Sequence, residues 1–238
     1  MDPQLFAQRA TPLPSGTQQR DLSDFMTRVY GWMAAGLLLT AATALMVAGS
    51  PAALETVFGN RLVFWALILG ELGLVMYISA RIQAMTSSTA VFLFMVYAVL
   101  NGVTMAVIFV AYTQSSIATT FGVTAGTFGL MSLYGYVTKT DLSRFGNLLL
   151  MALVGLVIAS VVNIFLGNST LQLVISGVGV LLCTALTAYD TQKIKTQALE
   201  MGSEGETGSK VALLGALTLY LDFINLFLFL LRFFGNRR

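Results

Sequence analysis

The chain has 238 residues, of which 56% are hydrophobic and only 10% are charged, whereas soluble domains carry about 25% charged residues. This composition, with a mean hydropathy of +0.80, predicts an integral membrane protein. The absence of histidine removes the commonest metal ligand and the commonest general base at neutral pH. The formal net charge of +2 is too small to indicate a nucleic-acid partner.

Seven apolar runs follow a polar N-terminal segment. Residues 1–28 hold Pro3, Pro12 and Pro14 and lack the early apolar core of a signal peptide, so they predict a flexible tail. Each run reaches the roughly 17–25 residues that a membrane-spanning helix needs, and a backbone in lipid must satisfy its hydrogen bonds within the segment. The sequence therefore predicts one all-α transmembrane domain over 29–238, with helices at 29–48, 62–80, 90–112, 117–137, 147–166, 171–190 and 211–234.

Two further stretches carry local signals. Residues 191–210 are polar and rich in Gly, Ser and Glu, which predicts a solvated, mobile loop. Its glutamates do not follow the spacing of a calcium-binding EF-hand, so we interpret it as a linker. On the fourth helix, Gly122 and Gly126 stand in GxxxG spacing, which predicts close packing against a neighbouring helix.

Lysine and arginine are distributed unequally between the two sides of the predicted bundle. With seven spans, one side holds nine of them: Arg9, Arg20, Arg28, Arg81, Lys139, Arg144, Lys193, Lys195 and Lys210. The other side holds four: Arg61, Arg232, Arg237 and Arg238. The positive-inside rule then predicts a cytoplasmic N-terminus. The basic C-terminal sequence RFFGNRR leaves two alternatives open, a re-entrant run or six spans with both ends inside.

Ionisable side chains inside the predicted spans are few, and each is a candidate functional site because a charge there costs roughly 2.5–3.5 kcal/mol. They are Glu71, Asp190 and Asp222, with Arg81 at the end of the second helix. The second and sixth helices run in the same direction, so Arg81 and Asp190 reach the same side, where the seventh helix begins. Asp222 lies deeper on that helix. A basic group and two carboxyl groups are therefore expected to converge near one mouth of the bundle.

The seventh helix carries its polar residues in one stripe. Gly215, Asp222 and Asn225 are related by spacings of seven and three residues, which places them on one side of a helix. A stripe with a carboxyl and an amide group is costly against lipid. We therefore expect this stripe to face the bundle interior and Asn225 to lie along an ion path.

Each candidate residue also has a simpler structural interpretation. Asp190 has Lys193 as its neighbour three residues on and could serve as an interfacial ion pair. Glu71 could make a structural hydrogen bond, and Arg81 could extend to lipid headgroups. Asp222 is the residue for which a purely structural role is hardest to argue, because of its depth.

Four segments point to a family when taken together. They are VYGWMAAGLLLTA (29–41), MSLYGYVTKTDLSRFGN (131–147), LTAYDTQKIK (186–195) and LGALTLYLDFINLFLFLLRFFGNRR (214–238). In this order they resemble the Bax inhibitor motif family of membrane proteins, in its bacterial, inner-membrane branch. The resemblance covers nearly the whole chain after the N-terminal tail.

The resemblance implies a fold, an activity and a set of residues. It implies six helices around a central seventh, and a calcium leak across the membrane that is controlled by pH. The pH sensor of the family is a pair of aspartates that match Asp190 and Asp222, and these would also be the transient calcium ligands. A second-helix arginine that pairs with the sixth-helix aspartate in the closed form matches Arg81. An acidic residue of the second helix, also used by the family, matches Glu71.

Paired carboxyl groups suggest how such a gate works. Two like charges within hydrogen-bond reach cannot both form cheaply in a low dielectric, so the pair shares a proton and titrates in coupled steps. We expect loss of that proton to make Asp190 and Asp222 repel each other and to open an acidic throat, with Arg81 holding Asp190 in the closed state. Calcium prefers six to eight oxygens, so it would be bound here only in passing, as a permeant ion.

Other functional classes compete with this hypothesis. Intramembrane aspartyl proteases carry GxGD and PAL motifs, whereas here Tyr220 and Leu221 precede Asp222 and no proline follows Pro51. No enzymatic activity and no cofactor are therefore expected. Two alternatives stay open: a non-conducting membrane protein that regulates partner proteins, and a proton-coupled transporter of a small solute.

Overall fold

The computed structural model describes residues 16–237. Seven of its helices are long and apolar enough to cross a membrane, and no strand occurs among the described residues. This confirms the predicted all-α membrane fold. The seven are α1 (Gly16–Ala48), α2 (Arg61–Arg81), α3 (Ser87–Ala111), α4 (Gln114–Val137), α5 (Gly146–Leu166), α6 (Ser169–Met201) and α7 (Gly205–Phe234). Short helical turns at Pro51–Leu54, Glu55–Gly59 and Leu142–Phe145 connect them.

Polar residues of the connections begin the helices. Asn60, Thr86, Thr113 and Asn168 each accept a hydrogen bond from a backbone N–H of the first turn that follows, as N-cap residues do. The bounds of α2, α3, α4 and α5 accordingly lie within a few residues of the predicted ones.

The first helix is longer than predicted. Part of the predicted flexible tail is helical, because α1 begins at Gly16 rather than at residue 29. Leu22, Phe25, Met26 and Val29 are buried at the three- and four-residue spacing of one helix face. That apolar stripe packs into the core and extends the helix beyond the membrane-length run. The remainder of the predicted tail, residues 1–15, lies outside the described residues.

The prediction of a polar loop over 191–210 is wrong. Helix α6 continues to Met201 and α7 begins at Gly205, so the connection is short. Thr191, Ile194 and Ala198 are buried at helical spacing, and their stripe stabilises the polar extension of α6. The turn forms at Gly202 and Gly205, whose φ angles of 86° and 68° lie in the left-handed region that glycine tolerates.

The last helix occupies the centre of the bundle. Helix α7 packs against α1, α3, α4 and α6, and its most apolar 18-residue stretch is 67% buried, against 11% for α2 and 6% for α5. The expected central position of the seventh helix is therefore confirmed. Helix α2 packs mainly against α3, and α5 against α6, so these two helices form the periphery.

Hydrogen bonds between connections identify the two ends of the bundle. At one end, called here the mouth, Arg28 Nη2 donates to Ser203 O and Lys210 Nζ donates to Gln83 O over 3.4 Å. The mouth thus holds the beginning of α1 and the α2–α3 and α6–α7 connections. At the other end, Asn236 N donates to Ser116 Oγ over 2.9 Å. The described C-terminal residues therefore lie opposite the beginning of α1.

Glycines mediate close packing at positions other than the predicted GxxxG pair. A Cβ at Gly122 or Gly126 would meet nothing within 4 Å, whereas one at Gly135 would lie 2.2 Å from Ala188 O. Gly135 therefore sets the close approach of α4 to α6. The prediction of close packing at Gly122 and Gly126 is wrong because both residues face away from the neighbouring helices.

Candidate functional site

The structure brings Asp190 and Asp222 together where α6 packs on α7. Both side chains are buried, with exposures of 8% and 7%, and their carboxyl groups lie within hydrogen-bond reach of each other. The helix that carries Asp190 runs toward the mouth and the helix that carries Asp222 runs away from it. This antiparallel packing brings two residues that are far apart in sequence to the same level.

One carboxyl oxygen of the pair has no hydrogen-bond donor within residues 16–237. Asp222 Oδ2 is buried and has no hydrogen-bond partner among the described residues. The nearby hydroxyl groups of Thr187 and Thr191 donate to carbonyls of their own helix, over 2.9 and 2.7 Å. Because an ionised carboxylate only accepts hydrogen bonds, the contact between the two acids becomes a hydrogen bond only when one of them carries a proton.

The positive charge near the pair comes from Lys193. It acts electrostatically on Asp190, and its ammonium group also lies 5.8 Å from the centre of the Tyr189 ring. The side-chain ion pairs among residues 16–237 join Arg144 to Asp141 and Lys210 to Glu206.

The ion pair implied for Arg81 and Asp190 is not formed in this structure. Arg81 ends α2 and is exposed. Its helix packs mainly against α3 rather than against α6. The structure therefore does not bring Arg81 to the carboxyl pair. The ends of α2 and α6 lie on the same side of the bundle, but this does not place Arg81 in contact with Asp190.

Asn225 does not face the bundle interior as predicted. It is exposed, whereas Gly215 and Asp222 of the same predicted stripe are buried. A spacing of three residues turns a helix about 60° away from the first residue's direction. That turn carries Asn225 to the side of α7 that also holds the half-buried Thr218 and Leu221, where neighbouring helices leave the surface uncovered.

Glu71 belongs to a separate buried polar cluster. It is 9% exposed and accepts a hydrogen bond of 3.0 Å from Thr104 Oγ1. Tyr97 lies within the range at which the Glu71 carboxyl group acts on it electrostatically. Asn101 Nδ2 donates to the Tyr97 hydroxyl over 3.5 Å. Glu71 is thus satisfied by α3, and the structure does not bring it to the two aspartates.

The cluster around Glu71 reaches α7 through Tyr220. The Tyr220 hydroxyl lies 2.7 Å from Thr40 Oγ1. Thr40 Oγ1 donates to Ala98 O over 2.9 Å, so with its single proton used there it accepts from Tyr220. Because Tyr220 and Asp222 are two residues apart on one helix, they point to nearly opposite sides. Sequence reasoning missed these polar residues. Their signal is a helical spacing on α3, at residues 97, 101 and 104.

The mouth end of α6 is fastened to the α4–α5 connection, which sequence reasoning also missed. Gln192 Oε1 accepts from Leu142 N, and Gln192 Nε2 donates to Thr140 O, each over 2.8 Å. Lys195 Nζ donates to Tyr136 O over 2.7 Å. These contacts begin two residues after Asp190, so they fix the helix segment that carries one half of the carboxyl pair.

One exposed carboxylate of the mouth contrasts with the buried pair. Asp141 accepts hydrogen bonds from the side chain and the backbone N–H of Ser143, the latter over 3.0 Å. These bonds favour the charged form, so they hold the pKa of Asp141 below its usual range. Asp141 therefore stays ionised throughout the neutral pH range.

The carboxyl pair alone offers calcium an incomplete set of ligands. No group of three or more Asp, Glu or Cys side chains suited to a metal ion occurs between residues 16 and 237. Two carboxyl groups offer at most four oxygens, and calcium takes six to eight. Asp190 and Asp222 are chemically fitted to a brief contact with a partly hydrated cation and to the exchange of protons.

The sequence is similar to a known protein family over most of its length. The family model described as "Inhibitor of apoptosis-promoting Bax1" matches residues 22–238. Inner membrane protein YbhL of Escherichia coli is 52% identical over 218 residues, covering 91% of this chain and 93% of that protein. Uncharacterised proteins of Deinococcus radiodurans and Borreliella burgdorferi are 47% and 46% identical, over 93% and 90% of this chain and 95% and 92% of their own lengths. The seven apolar helices and these matches together show that the chain is a multi-pass membrane protein that belongs to the Bax inhibitor family.

Proposed function

We propose that this protein is a pH-sensitive cation leak channel of the bacterial inner membrane, with calcium as the permeant ion. The observation that carries the proposal is the buried contact between the Asp190 and Asp222 carboxyl groups. Calcium rather than another cation follows from the resemblance to the family. The proposal includes no catalytic step and no cofactor.

The gate is proposed to work through one shared proton. While the pair holds it, a hydrogen bond joins α6 to α7 and the path between them stays closed. When the proton leaves, two adjacent negative charges in a low dielectric repel each other strongly. The repulsion separates α6 from α7 and leaves an acidic throat that attracts a divalent cation.

The surroundings of the pair support a local movement rather than a general loosening. Tyr220 is fully buried and holds α7 to α1 through the Thr40 hydroxyl. Gln192 holds the end of α6 to the α4–α5 connection. These contacts hold α7 on the side opposite Asp222 and hold α6 at Gln192, so we propose that the separation of the two carboxyl groups is a small displacement of α6 at the level of Asp190.

Two further residues take subordinate roles in the proposal. We propose that Arg81 pairs with Asp190 in a conformation in which α2 approaches α6. The buried carboxyl of Glu71 is proposed to contact the ion along its path, whereas Asn225, on the uncovered side of α7, is left out of it. The N-terminus is proposed to be cytoplasmic, which would put the mouth and its lysines on that side.

The test is calcium entry into dye-loaded liposomes that contain the purified protein, at pH 6 and pH 8. We expect the wild type to conduct more at pH 8, because loss of the shared proton opens the gate. Asp222→Asn and Asp190→Asn remove one partner of the repulsion and are expected to abolish most of the difference between the two pH values. Asp141→Asn is the matched control, since it removes an ionised carboxylate of the mouth that lies outside the pair.

Each contrary result has a defined meaning. If both variants titrate like the wild type, the gate does not lie at the aspartates. A flux that rises toward pH 6 would assign the closed state to an ionised pair held by a cation and would overturn the repulsion step. No flux above that of empty liposomes would favour the non-conducting regulator, and uptake of a small solute driven by protons would favour the transporter. Peptide cleavage that is lost in Asp222→Ala would instead indicate an enzyme.

A further inference from the structure

A groove lies between α1 and α4, and neither Asp190 nor Asp222 lines it. The groove has a volume of about 440 Å³. Its lining includes Met26, Tyr30 and Met33 of α1 and Phe128, Ser132 and Tyr136 of α4. Leu133, at 58% exposure, lies in the same lining, so the groove opens toward the surrounding bilayer.

The length and position of the groove match one leaflet. It extends along α1 from Ser23 to Met33, which at 1.5 Å per residue is about 15 Å. The hydrocarbon core of a bilayer is about 30 Å thick, so the groove is about as long as one leaflet is deep, with its Ser23 end before the membrane-length run that starts at residue 29. It begins at the mouth, where α1 starts and α4 ends. Its two methionines are unbranched and adapt to irregular apolar partners such as an acyl chain.

A hydrogen-bond donor without a partner lies in this lining. Ser132 is 5% exposed, and its Oγ is buried with no partner among the described residues. A buried hydroxyl normally has a hydrogen-bond partner. Ser132 lies about one helical turn deeper than Tyr136, which is the level at which a phospholipid carries its ester carbonyl below the headgroup.

A positive charge lies next to Tyr136, the α4 lining residue nearest the mouth. Lys195 Nζ donates to Tyr136 O over 2.7 Å and lies 5.0 Å from the centre of the Tyr136 ring. An ammonium group has three donors, so two stay available. Lys139 is exposed just beyond the end of α4 and adds a second positive charge on this side.

We propose that the groove binds one anionic glycerophospholipid of the adjacent leaflet. The acyl chain lies between Met33 and Phe128, the ester carbonyl accepts a hydrogen bond from Ser132 Oγ, and the phosphate lies against Lys195. The apolar depth selects a lipid chain, the buried hydroxyl selects an ester, and the lysines select a negative headgroup.

Native mass spectrometry of the detergent-purified chain tests the proposal, with phosphatidylglycerol and phosphatidylcholine of the same acyl chains offered together. We expect one phosphatidylglycerol to stay bound to the wild type. Gly129→Leu is expected to lose it, because Gly129 lines the groove and its Cβ would meet nothing within 4 Å. Gly122→Leu is the matched control, since Gly122 has the same open surroundings two turns along the same helix but lies outside the groove.

Two more variants separate the headgroup from the chain. Lys195→Gln is expected to lower the preference for phosphatidylglycerol over phosphatidylcholine about fivefold, and Ser132→Ala to weaken both lipids while leaving that preference unchanged. Thermal unfolding checks that each variant is folded. Equal retention of lipid by Gly129→Leu and Gly122→Leu would overturn the site. Equal binding of the two headgroups by the wild type would overturn the assignment of an anionic lipid.

Discussion

The two sides of α7 differ in whether their buried polar groups have hydrogen-bond partners. On the side that holds Tyr220, the side chains are closely packed and the polar group has a hydrogen-bond partner. The centre of the Tyr220 ring lies 5.7 Å from that of Phe94 and 5.8 Å from that of Tyr97, both edge to face, and the Tyr220 hydroxyl is hydrogen-bonded to Thr40. The side that holds Asp222 presents a buried carboxyl oxygen without a donor among the described residues, next to a second carboxyl group.

This difference indicates which contacts of the helix can change. An edge-to-face aromatic cluster with bonded hydroxyls has one good arrangement and resists displacement. Two carboxyl groups have two arrangements, one joined by a proton and one driven apart by charge. In the proposed function, α7 is therefore fixed to α1 and α3 while its contact with α6 responds to pH.

The largest effect is expected on the Tyr220 side. Tyr220→Ala should lower the free energy of unfolding by about 3–5 kcal/mol, because it empties a fully buried aromatic site. Unfolding in mixed micelles, followed by circular dichroism, measures it. Tyr220→Phe is the matched control and should cost about 1 kcal/mol, the value of the lost hydrogen bond. Equal stability of the wild type and Tyr220→Ala would contradict the fixed character of this side.

A change of opposite sign is expected on the Asp222 side. The double variant Asp190→Asn with Asp222→Asn should raise the free energy of unfolding at pH 8 by about 1–3 kcal/mol, because it removes a buried, poorly satisfied pair of acids. Its melting temperature should also vary less between pH 6 and pH 8 than that of the wild type. A destabilised double variant would show that the pair holds the bundle together at both pH values.

A smaller effect is expected where Gln192 holds the end of α6 to the α4–α5 connection. Gln192→Ala removes two hydrogen bonds of 2.8 Å to the α4–α5 connection, which should cost about 1–2 kcal/mol. Hydrogen exchange should rise in residues 192–201 and stay unchanged around Tyr220. Exchange that rises equally on both sides of α7 would argue against a locally movable α6.

The smallest effect is expected at Asp141. Its lowered pKa means that its stabilising contribution is present above the usual range of aspartate and is lost only as the pH falls through the lowered value. Asp141→Asn should therefore lower the melting temperature by the same small amount at pH 6 and at pH 8. The difference from the wild type should shrink only in acid, where Asp141 of the wild type takes up its proton, and a difference that changes between pH 6 and pH 8 would contradict the lowered pKa.

Particular residues show how far the sequence predicted the site. Asp190 and Asp222 could be selected because a carboxyl group inside an apolar run is costly and conspicuous. Asn225 was misplaced, since helical spacing gives the angle between two residues and not the width of the covered face. Arg81 was assigned to Asp190 from the resemblance, whereas this structure brings Lys193 near that acid.

Length and hydropathy are enough to predict that the seven apolar segments become helices, because lipid leaves the backbone no other hydrogen-bond partner. The positions of the ionisable residues within these segments can also be read from the sequence. The packing of the helices sets which one lies at the centre, brings Glu71 to Tyr97 and Thr104, and leaves α2 and α5 at the periphery. Between apolar helices in lipid, hydropathy does not distinguish one partner from another, so close packing and a few buried hydrogen bonds make that choice.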